Sequence, residues 1–191
     1  IDAGKPCGRD YEVERIAADG ASVWMLTRYV LVRDEAGQPR SAILYMDDIT
    51  AIKRREQALL HRAERDGLTG LYNRAAMEAH IREVLERPAE DRRALLILDL
   101  DSMKTINDTF GHAAGDEALT DMSNALCSHF RHTDRIGRIG GDEFMVFLDG
   151  CGSPAWLCGS LERLLGKMEG QYVGDGQRLP VRCSVGGAYQ R

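Results

Sequence analysis

Arg135-Ile136-Gly137-Arg138-Ile139-Gly140-Gly141-Asp142-Glu143-Phe144-Met145-Val146-Phe147-Leu148 is the stretch from which the rest of the chain is read. Two glycines and two acids stand between a short apolar strand pattern and a stronger one. Gly140-Gly141 supplies the permissive φ/ψ of a tight turn, and Phe144 to Leu148 reads as a buried strand. Asp142 and Glu143 therefore sit at a hairpin tip. Upstream, Ala94-Leu95-Leu96-Ile97-Leu98-Asp99-Leu100-Asp101 is a second strand that ends in acids. Pairing the two strands so that Asp99 meets Asp142 would build a hard-cation site, because carboxylate oxygens suit Mg²⁺ or Mn²⁺. Any hairpin can carry acids at its tip; two acidic clusters at two strand ends weigh against coincidence.

Outward from this pair, a helix is expected from Ala75 to about Leu85, stopped by Arg87-Pro88. After the first strand a loop is expected to carry Lys104, Asn107, Asp108, Phe110, Gly111, His112, Gly115 and Asp116. A helix follows from about Asp116 to Phe130, with Ala118, Leu119, Met122, Ala125, Leu126 and Phe130 at helical spacing. Arg131-His132-Thr133-Asp134 leads into the hairpin. Pro154 opens another helix, where its missing N–H is harmless, with a stripe of Leu157, Leu161, Leu164, Leu165 and Met168. Gly174-Asp175-Gly176 reads as a loop, and Leu179 to Val185 as a last strand before Gly186-Gly187. The order β-α-β-β-α-β predicts an α+β fold, a ferredoxin-like antiparallel sheet with helices on one face.

Residues 1–50 read differently, as strands and hairpins. Tyr11 to Ile16 alternates, Ser22 to Arg33 is rich in β formers, and Ser41 to Met46 is a third strand, with turns at Asp19-Gly20 and Asp34 to Gly37. Trp24 and Tyr29 are read as packing residues. From Thr50, a plausible N-cap, Ile52, Leu59 and Ala63 form a narrow helical stripe of roughly 15 residues. That suits either a parallel two-helix connector or a helix lying on its own domain. Lys53, Arg54, Arg55, Arg62 and Arg65 form a mostly solvated face.

The chain has 191 residues and a formal net charge of −5, which suits one globular domain plus a smaller element and argues against non-specific nucleic-acid binding. Cys7, Cys127, Cys151, Cys158 and Cys183 are odd in number and lack a CxxC pair. They read as reduced, partly buried thiols of a cytoplasmic protein rather than zinc ligands or a disulfide framework. No apolar run is long enough to cross a membrane. The start at Ile1-Asp2-Ala3 is neither a signal peptide nor an initiator, so a longer protein with an upstream membrane anchor is compatible with it.

Tyr11-Glu12-Val13-Glu14, the Asp19-Gly20 turn before Trp24, the turn from Arg33 to Gly37 and the exit Asp48-Ile49-Thr50 together resemble the C-terminal part of a PAS sensor domain. Residues 66–191 resemble a GGDEF diguanylate cyclase domain. The matching motifs are Asp66-x-Leu68-Thr69-Gly70-Leu71-x-Asn73-Arg74, the segment Asp99-x-Asp101-x-x-Lys104-x-x-Asn107-Asp108-x-x-Gly111-His112-x-x-Gly115-Asp116, and Gly140 to Phe144. The organisation implied is a partial PAS antiparallel sheet at 1–50, a signalling connector helix at 51–65, and a nucleotidyl-cyclase-like domain at 66–191.

The GGDEF resemblance implies condensation of two GTP molecules to cyclic di-GMP with release of two pyrophosphates, in a homodimer whose two domains each present one GTP. Asp99 and Asp142, with the Leu100 carbonyl and Glu143 beside them, are the implied ligands of Mg²⁺ or Mn²⁺ and the implied catalytic acids. Asn107 and Asp116 are implied to read the guanine edge, whose donors and acceptor suit an amide and a carboxylate. The backbone around Ser102-Met103, together with Lys104, lies at the phosphates, and Gly140 and Gly141 let the nucleotide approach. Alone, Lys104 would be read as a surface lysine; the motif reverses that. Arg131-x-x-Asp134, otherwise a surface salt pair, matches the family's allosteric product-binding motif.

Two departures accompany the match. Met103 stands where phenylalanine is usual, a tolerable apolar exchange. The family also continues past Ser184-Val185-Gly186 with a phosphate-gripping helix and a final strand, for which 66–191 shows no match. Weak triphosphate binding and poor or absent turnover are therefore expected of this stretch alone. The competing reading is a catalytically inactive module that binds GTP or cyclic di-GMP.

Overall fold

The structure is a computed structural model that describes residues 10–88, 92–101, 103–168 and 182–190. The chain divides into two compact units, Ile1–His61 and Arg62–Arg191. The first holds a three-stranded antiparallel sheet in the order β1 (Tyr11–Ile16), β2 (Ser22–Arg33), β3 (Pro39–Asp48). Its turns close as the glycines and aspartates foretell. Gly20 has φ 83° and Gly37 φ 77°, and the Asp34 carboxylate accepts the N–H groups of Ala36 and Gln38. Helix α1 (Thr50–Glu64) follows. Thr50 does not cap it with its hydroxyl, which instead accepts the Trp24 N–H at 2.9 Å; Asp48 takes the Thr50 N–H. Lys53 is drawn out of the solvated face, lying 2.7 Å from Glu12 and over the Trp24 ring. No α1 residue is buried, and Ile52 and Leu59 stand exposed.

The second unit is a five-stranded sheet in the order β4-β6-β7-β5-β8. Its strands are β4 (Tyr72–Asn73), β5 (Arg93–Leu100), β6 (Arg135–Arg138), β7 (Glu143–Asp149) and β8 (Cys183–Gln190). Only β4 runs parallel, to β6; the other pairings are antiparallel. With helices α2 (Arg74–Leu85), α3 (Met103–Phe110), α4 (His112–His129) and α5 (Pro154–Met168), this is an α+β architecture. Alternation along β5 and β7 sends Ala94, Leu96, Leu98, Leu100, Phe144, Val146 and Leu148 into one core with α3, α4 and α5. The opposite residues, Phe147 with Leu95 and Met145, meet Met77 and Val84 of α2. Helices therefore cover both faces, not one, because α2 has an apolar stripe of its own.

Three further expectations change. The segment from Lys104 to Phe110 is helix α3 rather than loop, since Met103, Ile106 and Phe110 recur at helical spacing and the first two are buried. Gly111, at φ 83°, breaks it from α4, which starts at His112 rather than near Asp116. Strand β8 runs through Gly186 and Gly187 instead of ending before them. A Cβ on Gly187 would lie 2.9 Å from Leu96 Cδ2, so glycine there admits the core leucine. The loop at Gly174-Asp175-Gly176 and residues Leu179 to Val181 lie outside the described residues.

Among the described cysteines all are free; Cys127 and Cys158 are exposed, against the partly buried expectation, while Cys151 and Cys183 are half-buried. Burial pushes the Cys183 thiol up to about 11. Cys7 lies outside the described residues. Among those residues no helix is long and apolar enough to cross a membrane.

Candidate active site at the Gly140–Glu143 turn

Strands β6 and β7 are joined by a turn closed by N–H donation from Ile139 and Gly140 to the Glu143 carbonyl. The sequence suggested that Gly140-Gly141 supplies a permissive backbone conformation, but neither glycine adopts a positive φ. A Cβ at Gly140 would lie 2.5 Å from Glu143 Oε2, so a side chain there would push that carboxylate from its place. Around Gly141 there is open space.

Two arginines hold the turn. Arg138 donates to the Gly141 carbonyl through Nη2 at 2.6 Å and Nε at 3.1 Å, and its Nη1 lies 3.2 Å from Asp66. Arg74 donates from Nε to the Ile139 carbonyl at 2.8 Å and approaches Glu143 at 3.5 Å. Asp66 is in turn fixed by the Thr69 N–H and hydroxyl. Asn73 caps α2 by accepting the Ala76 N–H while its amide donates to the Ala63 carbonyl at the end of α1. Asp66, Arg74 and Arg138 thus hold the turn; Asp66 and Arg74 stand in the motif read from the sequence without a role, and Arg138 was given none.

Burial pushes the Asp66 carboxyl up, but the bonds from Thr69 and Arg138 outweigh this and hold it below the usual carboxylate range. A depressed folded-state pKa contributes stability that is present above the unfolded value, about 3.9, and is lost as pH falls through the folded one. The Asp66–Arg138 pair is mostly screened from solvent. A double-mutant cycle with Asp66→Asn and Arg138→Ala should give a coupling of about 1–3 kcal/mol near neutral pH, fading below about pH 4. Additive variants at neutral pH would remove the pair from this role.

The acids gather at the same end of the sheet. Asp99 on β5 is paired directly with Glu143 on β7, and the Leu100 N–H donates to the Asp142 carbonyl at 3.2 Å. Burial first, then the negative charges of Asp142, Asp101 and Glu143, pushes the Asp99 carboxyl above its ordinary value. Around Asp99 like charge accumulates, with Arg74 reaching only Glu143, and a divalent cation fits such a place. Among the described residues no three His, Cys, Asp or Glu side chains group closely enough to hold an ion by themselves. That donor set suits Mg²⁺, which commonly takes one or two carboxylates and completes its shell with substrate phosphates and water.

Helices α3 and α4 bring the remaining residues together. Lys104 is exposed on the first turn of α3, and Asn107 is half-buried. A Cβ on Gly115 would meet Asn107 Oδ1 at 2.1 Å, so glycine lets that amide lie against α4, one residue before the exposed Asp116. The Met103 side chain belongs to the core, at 8% exposure, which leaves only its backbone for a ligand. Ser102 lies outside the described residues. Arg131 and Asp134 form a separate turn before β6, in which the Arg131 N–H donates to Asp134 Oδ2 at 2.8 Å. The Arg131 side chain makes no ion pair among the described residues.

The family model described as diguanylate cyclase, GGDEF domain, matches residues 63–191. The probable diguanylate cyclase DgcC of Escherichia coli is 44% identical over 100 residues, covering 51% of this chain and 26% of that protein. The first curated relatives are matched over only 11% to 30% of their own length. Among solved structures, the diguanylate cyclase SiaD of Pseudomonas aeruginosa, in complex with its activator SiaC, aligns with a TM-score of 0.63 and 33% identity. That match covers 74% of this chain and 55% of SiaD. A sensory box/GGDEF family protein from Caulobacter crescentus aligns with a TM-score of 0.58 and 34% identity, over 66% of this chain and 83% of that one.

Proposed function

The chain belongs to the GGDEF family of diguanylate cyclase domains, and from that premise we propose that it is the catalytic part of a protein that condenses two GTP molecules into cyclic di-GMP and two pyrophosphates. The observation that carries this reading is the convergence of Asp99, Asp142 and Glu143 on one end of the sheet. Asn107, folded against the turn of α4 that bears Asp116, lies on the helices that follow β5.

Asn107 and Asp116 bind the guanine edge, the amide and carboxylate meeting its donors and acceptor. Lys104 and the backbone at Ser102-Met103 hold phosphates. Asp99, Asp142, the Leu100 carbonyl and Glu143 hold Mg²⁺ or Mn²⁺, which when bound neutralises charge on the reacting phosphate and makes a hydroxyl easier to deprotonate. The turn pinned by Arg138 and Arg74 keeps Asp142 and Glu143 in register with Asp99, so no reorganisation is needed when substrate arrives. The 3′-oxygen of one GTP attacks the α-phosphorus of the other in line, and pyrophosphate leaves. Ring closure takes the same step twice in opposite directions, so two domains face each other and a homodimer supplies the orientation.

The exposed stripe of α1 suits pairing with a second copy of that helix, and residues 1–50 suit a PAS-like sensor remnant, as the sensory box relative also suggests. Boundaries at 51 and 66 then separate sensor, connector and GGDEF domain. The full-length protein incubated with GTP and Mg²⁺ should form cyclic di-GMP and pyrophosphate, resolved by chromatography. Nucleotide binding without product would make it a binding module instead.

Arg131 and Asp134 are proposed to bind the product and inhibit the enzyme, the guanidinium bracketing phosphate or stacking on guanine. Arg131→Ala should weaken cyclic di-GMP binding in calorimetry by about tenfold or more, the loss of one charge-assisted contact of roughly 1.5–3 kcal/mol. Equal affinities would dismiss the site.

A further inference from the structure

The row of acids has one neighbour that the reading above leaves unused. Ser184 on β8 is paired directly with Asp99, so Ser184, Asp99 and Glu143 stand side by side across β8, β5 and β7 on the same face of the sheet. The Ser184 hydroxyl donates to Asp101 Oδ1 at 2.7 Å, bridging 83 residues of sequence. The Asp101 N–H donates to the Arg182 carbonyl at 3.1 Å, so both the backbone and the side chain of Asp101 are tied to β8.

A mobile carboxylate two residues from Asp99, with Glu143 beyond it, lowers its energy by swinging into water. The charge-assisted hydroxyl bond opposes that swing. We propose that Ser184 is a positioning residue, whose hydroxyl holds the Asp101 carboxylate beside Asp99 as an outer-sphere partner of the divalent cation. The inference rests on the reading that Asp99 and Asp142 hold that cation. Oδ1 is engaged by Ser184, which leaves Oδ2 of Asp101 to accept from a water of the hydrated ion. Mg²⁺ and Mn²⁺ keep several such waters when few carboxylates bind directly. Partners of this kind tune affinity without touching the metal. The bond itself is exposed, so its contribution to folding is small and its effect should be felt in cation binding.

The test is a Mn²⁺ titration of the full-length protein, with free ion read by electron paramagnetic resonance and no GTP present. Ser184→Ala should raise the Mn²⁺ dissociation constant by about tenfold, with Tm unchanged, and Ser184→Thr, which keeps the hydroxyl, should restore the parent value. Asp101→Asn should weaken binding to a similar extent, and the double variant Ser184→Ala/Asp101→Asn should be no weaker than Asp101→Asn alone, because the serine acts through that carboxylate. The Asp101→Asn result stands independently if Ser184→Ala disturbs β8. Parent-like Mn²⁺ affinity in Ser184→Ala and Asp101→Asn, alongside weakened binding in Asp142→Ala, overturns this role and leaves the cation site intact. Unchanged binding in Asp142→Ala overturns the cation site itself, and this inference with it.

Discussion

Asp142→Ala should lower the rate of cyclic di-GMP formation by the full-length protein by on the order of 10³-fold, the loss of several kcal/mol of charge stabilisation at the reacting phosphate. The substitution is clean because the turn uses the backbone of Asp142, not its side chain. The carbonyl that accepts the Leu100 N–H survives, as do the Arg138 bonds to Gly141. Removing one of several crowded negative charges around Asp99 should leave the Tm of the metal-free protein unchanged or slightly higher. Guanine contacts assigned to Asn107 and Asp116 are far along the chain in α3 and α4 and remain. The variant should therefore bind nucleotide without turning it over. A rate equal to the parent's, with Mg²⁺ saturating, would refute the assigned role.

Phe144→Ala should destabilise the domain by about 3–5 kcal/mol in urea denaturation, a large share of the roughly 5–15 kcal/mol that holds a typical domain. Phe144 adjoins the acids in sequence but is fully buried, paired with Leu98 on β5 and Arg138 on β6. Its ring belongs to the core under α3 to α5, so truncation leaves a cavity at the centre of the sheet. Ile97→Ala on β5 serves as the contrast, because Ile97 is 41% exposed and its loss should be several-fold smaller. Equal losses in the two variants would contradict the placement of the core. One residue beyond Glu143, side chains thus pass from the acidic cluster to the packed core.

Much of this was legible because it is local. The apolar runs of β5 and β7, helical spacing in α4 and α5, and acids at strand ends need only the identity of near neighbours. The misread parts all involve a partner distant in sequence. The segment from Lys104 to Phe110 looked like a loop because Asn107, Asp108 and the Gly111 that follows resemble turn chemistry; burial of Met103 and Ile106 in the core makes it a helix. Gly186-Gly187 looked like a stop until β5 was alongside, where Leu96 fills the space that a side chain at Gly187 would take. Arg74, which the sequence offered only as part of a motif, holds a carbonyl 65 residues away, and Arg138 reaches Asp66 across 72 residues, contacts that exist only once the turn is in place.

By itself the sequence determined where the acids Asp99, Asp142 and Glu143 stand, at the ends of two strands, the α+β order of elements around them, and membership in a family through the motifs from Asp66 to Phe144. Tertiary structure alone decided their register. Asp99 faces Glu143 on one side and Ser184 on the other, Arg138 reaches Asp66 across 72 residues, and Asn107 lies against Gly115. The reason is physical. Periodicity is a property of a short segment, whereas register is chosen when distant strands pair, and a slip of one residue would turn every acid to the other face of the sheet.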